Sequence, residues 1–353
     1  MATEQLALVD LIDDMSAQKN VVLKPIRFAR DIMTKEVRTL TLDHTVSACI
    51  KLMKALRIRH LPLVDVPYDE KTKPYFIGVV SERDVLRVIS PSVKEPGEEK
   101  IDKRALRQLL TQIVARKPQT VSPDTPIPEV IMAMLDNHCD MIPVLAETKV
   151  VGIITTMNIV KIFSRLDKAV HKLYPELDKA TQPGDLVSAA PSDAKPLLLW
   201  ISQTAQEIMT RPVISLTPQD DLAEAINLMQ DNKFRHIPII DEYGKLQGII
   251  SDRDILRHLH YAGKRPMAQQ KKFREHLFRV DPQFVNLKLP LERIMTRKVT
   301  HIPPDNSTCD AAGTLRKLRV SCLPVVDEQN NLLGIVTMTD LMSALLAVYG
   351  EKA

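Results

Sequence analysis

The sequence predicts an α+β fold of four small repeats, each a short three-stranded sheet with two helices, and three observations carry that reading. The signature GIISDRD at Gly248 has counterparts GVVSERD at Gly78, GIITTMN at Gly152 and GIVTMTD at Gly334. An apolar-Pro-apolar strand precedes each signature, at Pro62, Pro143, Pro238 and Pro324. A turn position lies 20 residues before each of these prolines, at Leu42, Pro123, Pro218 and Pro304. A pattern that recurs along a chain at fixed spacing sets the architecture before any single residue does.

Each repeat opens with a short extended stretch, such as VRTLT or VISLT, that closes at its turn. Between turn and proline, apolar residues recur at i, i+3, i+4 and i+7. They are Val46, Cys49, Ile50 and Met53, then Ile127, Val130, Ile131 and Met134, then Leu222, Ala225, Ile226 and Met229. That stripe is one face of an amphipathic helix. Thr308, Ala311, Ala312 and Leu315 keep the same register with smaller side chains. The proline strand follows, then a hairpin turn such as DEYGK or DEQNN, then the strand that carries the signature into a second helix. The first repeat has the longer loop DVPYDEKTKPY, which sets its proline and glycine 16 residues apart against 9, 10 and 10 in the others. A repeat of about 55 residues covers only one face of its sheet with helices, so repeats should pair sheet to sheet and bury the other.

Sequence order suggests repeats 1 with 2 and 3 with 4. The expected layout is an N-terminal segment over 1–27 and a first pair over 28–165, with repeats at about 28–92 and 106–165. A linker over 166–203 and a second pair over 204–347 follow, with repeats at about 204–260 and 290–347. The linker contains ATQPGDLVSAAPSDAKP, the best boundary signal in the chain. A connector from His258 to Arg279 carries Lys264, Arg265, Lys271, Lys272, Arg274 and Arg279 against the single acid Glu275. Both a solvated helix with polar ends and a docking surface for an acidic partner fit that composition.

A chain of 353 residues with 44% hydrophobic content can build real cores. No apolar run approaches the roughly 20 residues of a membrane span, and the acidic N-terminus lacks a signal peptide's basic flank, so the expected location is cytoplasmic. A net charge of +4 from 48 basic and 44 acidic residues is far from a dedicated nucleic-acid binder. Cys49, Cys139, Cys309 and Cys322 form no CxxC pair and read as buried thiols. There is no P-loop, no His cluster at metal spacing and no Ser, His and Asp set. These absences argue against an enzyme.

The four repeats resemble CBS domains over roughly residues 28 to 165 and 204 to 347. The resemblance implies paired motifs whose clefts bind adenosine-containing ligands and a regulatory rather than catalytic role. The four-motif layout is similar to that of the regulatory gamma subunit of AMP-activated protein kinase. AMP, ADP or ATP is the first expectation, with S-adenosylmethionine, NAD or a cyclic dinucleotide as alternatives. No cofactor is required; the adenine nucleotide is the regulatory ligand. The expected partners are that small molecule, an unidentified protein target and a second copy bound through CBS pairs, with neither membrane nor nucleic acid. An interaction scaffold with vestigial clefts is the rival reading.

Asp84, Asp254 and Asp340 end three of the signatures, and a carboxylate can accept two hydrogen bonds from a ribose cis-diol. Ser81, Ser251 and Thr337 open the following helix, where a hydroxyl and free N–H groups can meet a sugar or phosphate oxygen. The same spacing is that of a capping box, and both readings stand. Repeats 1 and 3 add cations that the others lack. Arg59-His60 and Arg235-His236 precede the proline strands, and Arg83 and Arg253 precede the aspartates. Repeats 2 and 4 have Asp140-Met141, Ser321-Cys322, Met157 and Thr339 there. The resemblance gives Arg59, His60, Arg235 and His236 to ligand phosphates, and the recurring Arg-Asp pair adds Arg83 and Arg253. Thr155 and Asn158 form a doubtful site, because an amide replaces the carboxylate. No catalytic residue and no metal ligand is assigned.

Overall fold

The computed structural model describes residues 26–56, 58–65, 74–89, 107–116, 118–173, 203–255, 288–346 and 349, without the side chains of residues 83, 86, 87, 89, 115 and 116. Each repeat is built on an antiparallel hairpin. The pairs are β1 (His60–Asp65) with β2 (Tyr75–Ser81), β4 (Met141–Ala146) with β5 (Lys149–Thr155), β6 (His236–Ile240) with β7 (Leu246–Ser251) and β8 (Cys322–Val326) with β9 (Leu332–Thr337). β3 (Ala115–Arg116) adds a third strand to the first hairpin. Register is conserved among the four, with Pro62, Pro143, Pro238 and Pro324 opposite Val79, Ile153, Ile249 and Ile335.

The strand prolines are tolerated because only their carbonyls are used on the outer edge. Pro62, Pro143, Pro238 and Pro324 accept from the N–H groups of Leu40, Val121, Leu216 and Ile302 at 3.0–3.1 Å. Proline lacks the N–H that an interior strand position would need to donate. The expected stripe helices form at Val46–Leu56, Ile127–Asp136, Leu222–Asn232 and Thr308–Leu318, and every stripe residue is buried. Asp221 and Ser307 cap the last two, accepting from the N–H groups of Glu224 and Asp310 at 3.0 Å.

The inner edge of each hairpin is closed by a segment that belongs, by sequence, to the neighbouring repeat. Thr34 bridges Ile153, Ala115 pairs with Val79, Thr210 bridges Ile335 and Thr296 bridges Ile249. Repeats 1 and 2 thus exchange their opening segments, and repeats 3 and 4 do the same. The exchange explains three signature glycines. A Cβ on Gly152 would stand 2.5 Å from Met33 Sδ and one on Gly248 2.9 Å from Met295 Sδ, while one on Gly334 would overlap Met209 Sδ. Those methionines each precede a bridging threonine.

Two compact units result. One holds the described residues of Met1–Val37, Gln119–Val213 and Thr300–Ala353, and the other those of Arg38–Pro118 and Ile214–Val299. The first, the even unit, has one apolar cluster running through repeats 2 and 4, including Ile131, Phe163, Leu315 and Leu341. The odd unit has another through repeats 1 and 3, including Leu61, Val80, Ile226 and Ile250. Inside the even unit, the helix Thr156–Leu173 packs on Thr308–Leu318 and on Met338–Leu346. The apolar clusters therefore follow a grouping that sequence order does not express. The helix Thr156–Leu173 also runs past residue 165, the expected end of the first pair, with Leu166, Val170 and Leu173 buried. The rest of the expected linker and the basic connector lie outside the described residues. No helix among the described residues is long and apolar enough to cross a membrane.

Candidate functional site

Hairpin register first brings together residues that are distant in sequence. His60 stands opposite Ser81 and His236 opposite Ser251, so each His of a cationic pair faces the hydroxyl residue of its own signature. The residue before each proline strand then holds the start of the second helix. Arg59 O accepts from the Glu82 N–H at 2.9 Å, and Arg235 O accepts from the Asp252 N–H at 3.1 Å. Cation, hydroxyl and helix N-terminus are therefore fixed on one corner of each odd repeat.

Within the odd unit the two corners share one cleft, lined by Arg59, His60, Ser81 and Glu82 of repeat 1 with Arg235 and Asp252 of repeat 3. Its free volume is about 10 Å³, of the order a single water needs. Arg253 Nε lies 3.8 Å from Glu82 Oε2, joining the repeats, and Arg235 Nε lies 3.9 Å from Asp252 Oδ2. Burial lowers the Arg59 pKa, and the Arg253 charge lowers it further against the opposing pull of Asp252 and Glu82. Burial pushes the His236 ring down to about 4, with Asp252 opposing and Arg59, Arg235 and Arg253 adding to the drop. That imidazole is neutral near pH 7 and contributes a hydrogen-bonding edge rather than a charge. Arg83 sits on the helix Glu82–Ile89, and its side chain is outside the described residues.

The signature carboxylates cap their own helices. The Ser81 N–H and hydroxyl donate to Asp84 Oδ2 at 2.8 and 2.6 Å, and the Asp84 N–H returns a bond to Ser81 Oγ at 3.2 Å. Ser251 with Asp254 repeats the arrangement at 3.0, 2.6 and 3.3 Å, and Thr337 with Asp340 at 2.6, 2.6 and 3.4 Å. Capping is thus present in all three, and it engages the Oδ2 atom of each carboxylate.

In the even unit the second side-chain atom bonds the crossing segment. Asn158 Oδ1 accepts from the Thr155 N–H and hydroxyl at 3.0 and 2.6 Å, while its Nδ2 donates to Ile32 O at 2.8 Å and to Thr34 Oγ1 at 3.2 Å. Asp340 Oδ1 accepts from the Thr210 hydroxyl at 2.7 Å, and burial raises its carboxyl above the usual range. Both side chains clamp the crossing segment. In repeat 1 the corresponding strand residue is Ala115, which has no hydroxyl to offer Asp84. Sequence spacing does not reach these threonines, although the recurring triplets Ile32-Met33-Thr34, Ile208-Met209-Thr210 and Ile294-Met295-Thr296 mark them.

The four cysteines form no disulfide, Cys49 and Cys322 are buried, and burial pushes the Cys49 thiol up to about 12. Among the described residues no cluster of three or more His, Cys, Asp or Glu could hold a metal ion.

The family model for the CBS domain matches this chain four times, at residues 29–91, 110–165, 205–261 and 291–347. Protein MJ1404 of Methanocaldococcus jannaschii is 27% identical over 314 residues, covering 89% of this chain and 60% of its own length. Inosine-5'-monophosphate dehydrogenase of the same organism is 29% identical over 138 residues, which is 39% of this chain and 23% of that enzyme. The crystal structure of protein MJ1225 of M. jannaschii superposes with a TM-score of 0.65 at 20% identity, over 91% of this chain and 100% of that one. The chain thus spans about 60% of the length of MJ1404.

Proposed function

The chain belongs to the CBS-domain family, and on that premise we propose that it is a non-catalytic regulatory protein whose odd unit binds an adenine nucleotide. The observation that carries the proposal is the shared cleft, where Arg59, His60 and Ser81 of repeat 1 meet Arg235 and Asp252 of repeat 3. In this reading Arg59, His60, Arg235 and Arg253, with Arg83, take the phosphates, and His236 holds its neighbours in place. Asp84 and Asp254, with Ser81 and Ser251, take the ribose. The Asp84 and Asp254 caps use Oδ2, a geometry compatible with a diol bound at the same carboxylate. Thr337, Asp340, Thr155 and Asn158 serve structure. The likeness in fold to MJ1225, described as a candidate archaeal homologue of gamma-AMPK, agrees with a nucleotide-responsive role.

Binding would act by differential affinity: the nucleotide favours one arrangement of repeats 1 and 3 and so changes a surface that a partner protein meets. A location in the cytoplasm and an unidentified protein target complete the proposal. The rival is a scaffold with vestigial clefts, favoured by the clamping role of Asn158 and Asp340 in the even unit.

Thermal unfolding with AMP, ADP, ATP, S-adenosylmethionine or NAD separates the two. A ligand at about 100 times its dissociation constant stabilises the fold by about 2.7 kcal/mol. At least one adenine nucleotide should do so, with a calorimetric stoichiometry set by the odd unit. Asp254→Asn should weaken it by roughly ten- to a hundredfold, because charge-assisted hydrogen bonds contribute about 1.5–3 kcal/mol each. Protein freed of copurified ligand that responds to none of the five would be a scaffold.

A further inference from the structure

The cleft contains acids where an anion site would be expected to contain only cations. Glu82 and Asp252 occupy the same position in repeats 1 and 3, directly after the signature serine, and repeats 2 and 4 have the uncharged Thr156 and Met338 there. The acids thus occur in the two repeats that carry the cationic pairs. Backbone bonds to Arg59 O and Arg235 O pin each acid beside an arginine. Their side chains reach Arg253 and Arg235 at 3.8 and 3.9 Å, against the roughly 2.7–2.9 Å of a charge-assisted hydrogen bond. They neutralise the guanidinium groups without locking onto them. These side chains are largely removed from solvent, Glu82 being 19% and Asp252 18% exposed, so ion pairs at these distances recover only part of their desolvation cost. Burial accordingly holds the Glu82 carboxyl above its usual range, with Arg253 opposing, Asp252 adding to the rise and Arg59 and Arg235 opposing. Both acids line the cleft together with Arg59, His60, Ser81 and Arg235.

We propose that Glu82 and Asp252 are built-in counter-anions that neutralise the phosphate cations of the cleft and are displaced by the phosphates of the ligand. The proposal rests on the nucleotide-binding reading above and deepens it. Because Glu82 belongs to repeat 1 and Arg253 to repeat 3, displacement breaks an ionic tie between the repeats. The acids therefore set both the affinity and the coupling: they raise the ligand concentration needed for response, and their release is what the rest of the odd unit senses.

The test is calorimetric titration of ADP and of inorganic pyrophosphate into the parent protein, Glu82→Gln, Asp252→Asn and the double variant, with ligand-free melting as a folding control. Each single variant should bind ADP more tightly by on the order of tenfold, since a close opposing charge is removed from a desolvated site. Pyrophosphate affinity should rise in parallel, since the competition is with phosphate and not with adenosine. Parent and variants that bind ADP equally well, or variants that bind it more weakly, overturn the proposal and leave the nucleotide reading standing. Pyrophosphate bound by the double variant, with no nucleotide bound by any form, upholds the counter-anions and removes the nucleotide. If neither ligand binds any form that melts as a folded protein, both readings fall. A variant that does not fold is replaced by its partner substitution, since the two acids act at separate positions.

Discussion

Asn158 and Asp340 are the same position in repeats 2 and 4, and the atoms around them require opposite things. Asn158 must donate, because its Nδ2 faces the Ile32 carbonyl oxygen, whereas Asp340 accepts from a threonine hydroxyl that can also accept in return. Asn158→Asp should therefore destabilise the protein by about 1–3 kcal/mol, the cost of a buried carbonyl that loses its donor beside a new charge. The loss should be largest near neutral pH and shrink as the pH falls, because a carboxyl raised by burial regains its proton below its folded pKa and then donates again. Asp340→Asn should cost less than about 1 kcal/mol, the net worth of one ordinary hydrogen bond, and should leave ADP stoichiometry unchanged. Urea unfolding at pH 7 and pH 5 measures both variants, and equal losses would refute the donor argument. At this scale the sequence is informative where chemistry is contiguous. Ser81 with Asp84, and Ser251 with Asp254, stand in one short signature each, and a hairpin between the proline strand and the signature strand brings His60 and His236 opposite the serines. The meeting of Glu82 with Arg253 is not legible, since it depends on how two distant repeats pack.

Among the elements, the stripe helices and hairpins follow directly from periodicity, and their sixteen stripe positions are buried in the structure. The crossing segments do not follow from it. Four residues such as Ala29–Ile32 or Ala205–Ile208 are too short to show a helical period, and a single bridging residue shows no strand period at all. The signature glycine is the accessible clue, because a glycine in a strand marks a close approach by something. At Gly152, Gly248 and Gly334 it is a methionine from the crossing segment. Gly334→Ala should accordingly destabilise the fold by roughly 1–3 kcal/mol, as an added methyl forces Met209 from its place. Met209→Ala should cost about 2–5 kcal/mol alone, and less when Gly334→Ala is already present, since the new methyl then fills part of the space. A double-variant cycle that closes additively would show that the two residues do not share that space.

For the whole molecule, the decisive feature is the way the chain is threaded. Sequence adjacency groups repeats 1 with 2 and 3 with 4, and the exchanged opening segments follow that grouping. The apolar clusters run across it, through 1 with 3 and 2 with 4. The stripes share one periodicity, which gives sequence reasoning no basis for choosing which two repeats share a core. Each sequence half therefore contributes to both compact units, and neither half encloses a core of its own. In the even unit the helix Thr156–Leu173 of the first half packs on Thr308–Leu318 and Met338–Leu346 of the second. Cutting the chain once between residues 178 and 196, where composition marks a boundary, should cost only the covalent link. The two pieces should stay together, elute from size exclusion as the intact chain does and melt as one species. Expressed separately, each half should expose its share of both apolar clusters and self-associate or aggregate, because large contiguous apolar patches do not persist in water. Mixing the halves should restore the elution volume and melting of the nicked protein, and should restore ADP binding, since the cleft takes Arg59 and Glu82 from one half and Arg235 and Asp252 from the other. A first half that is monomeric, stable and able to bind ADP alone would show that the core shared by repeats 1 and 3 is dispensable, and with it the cleft between them.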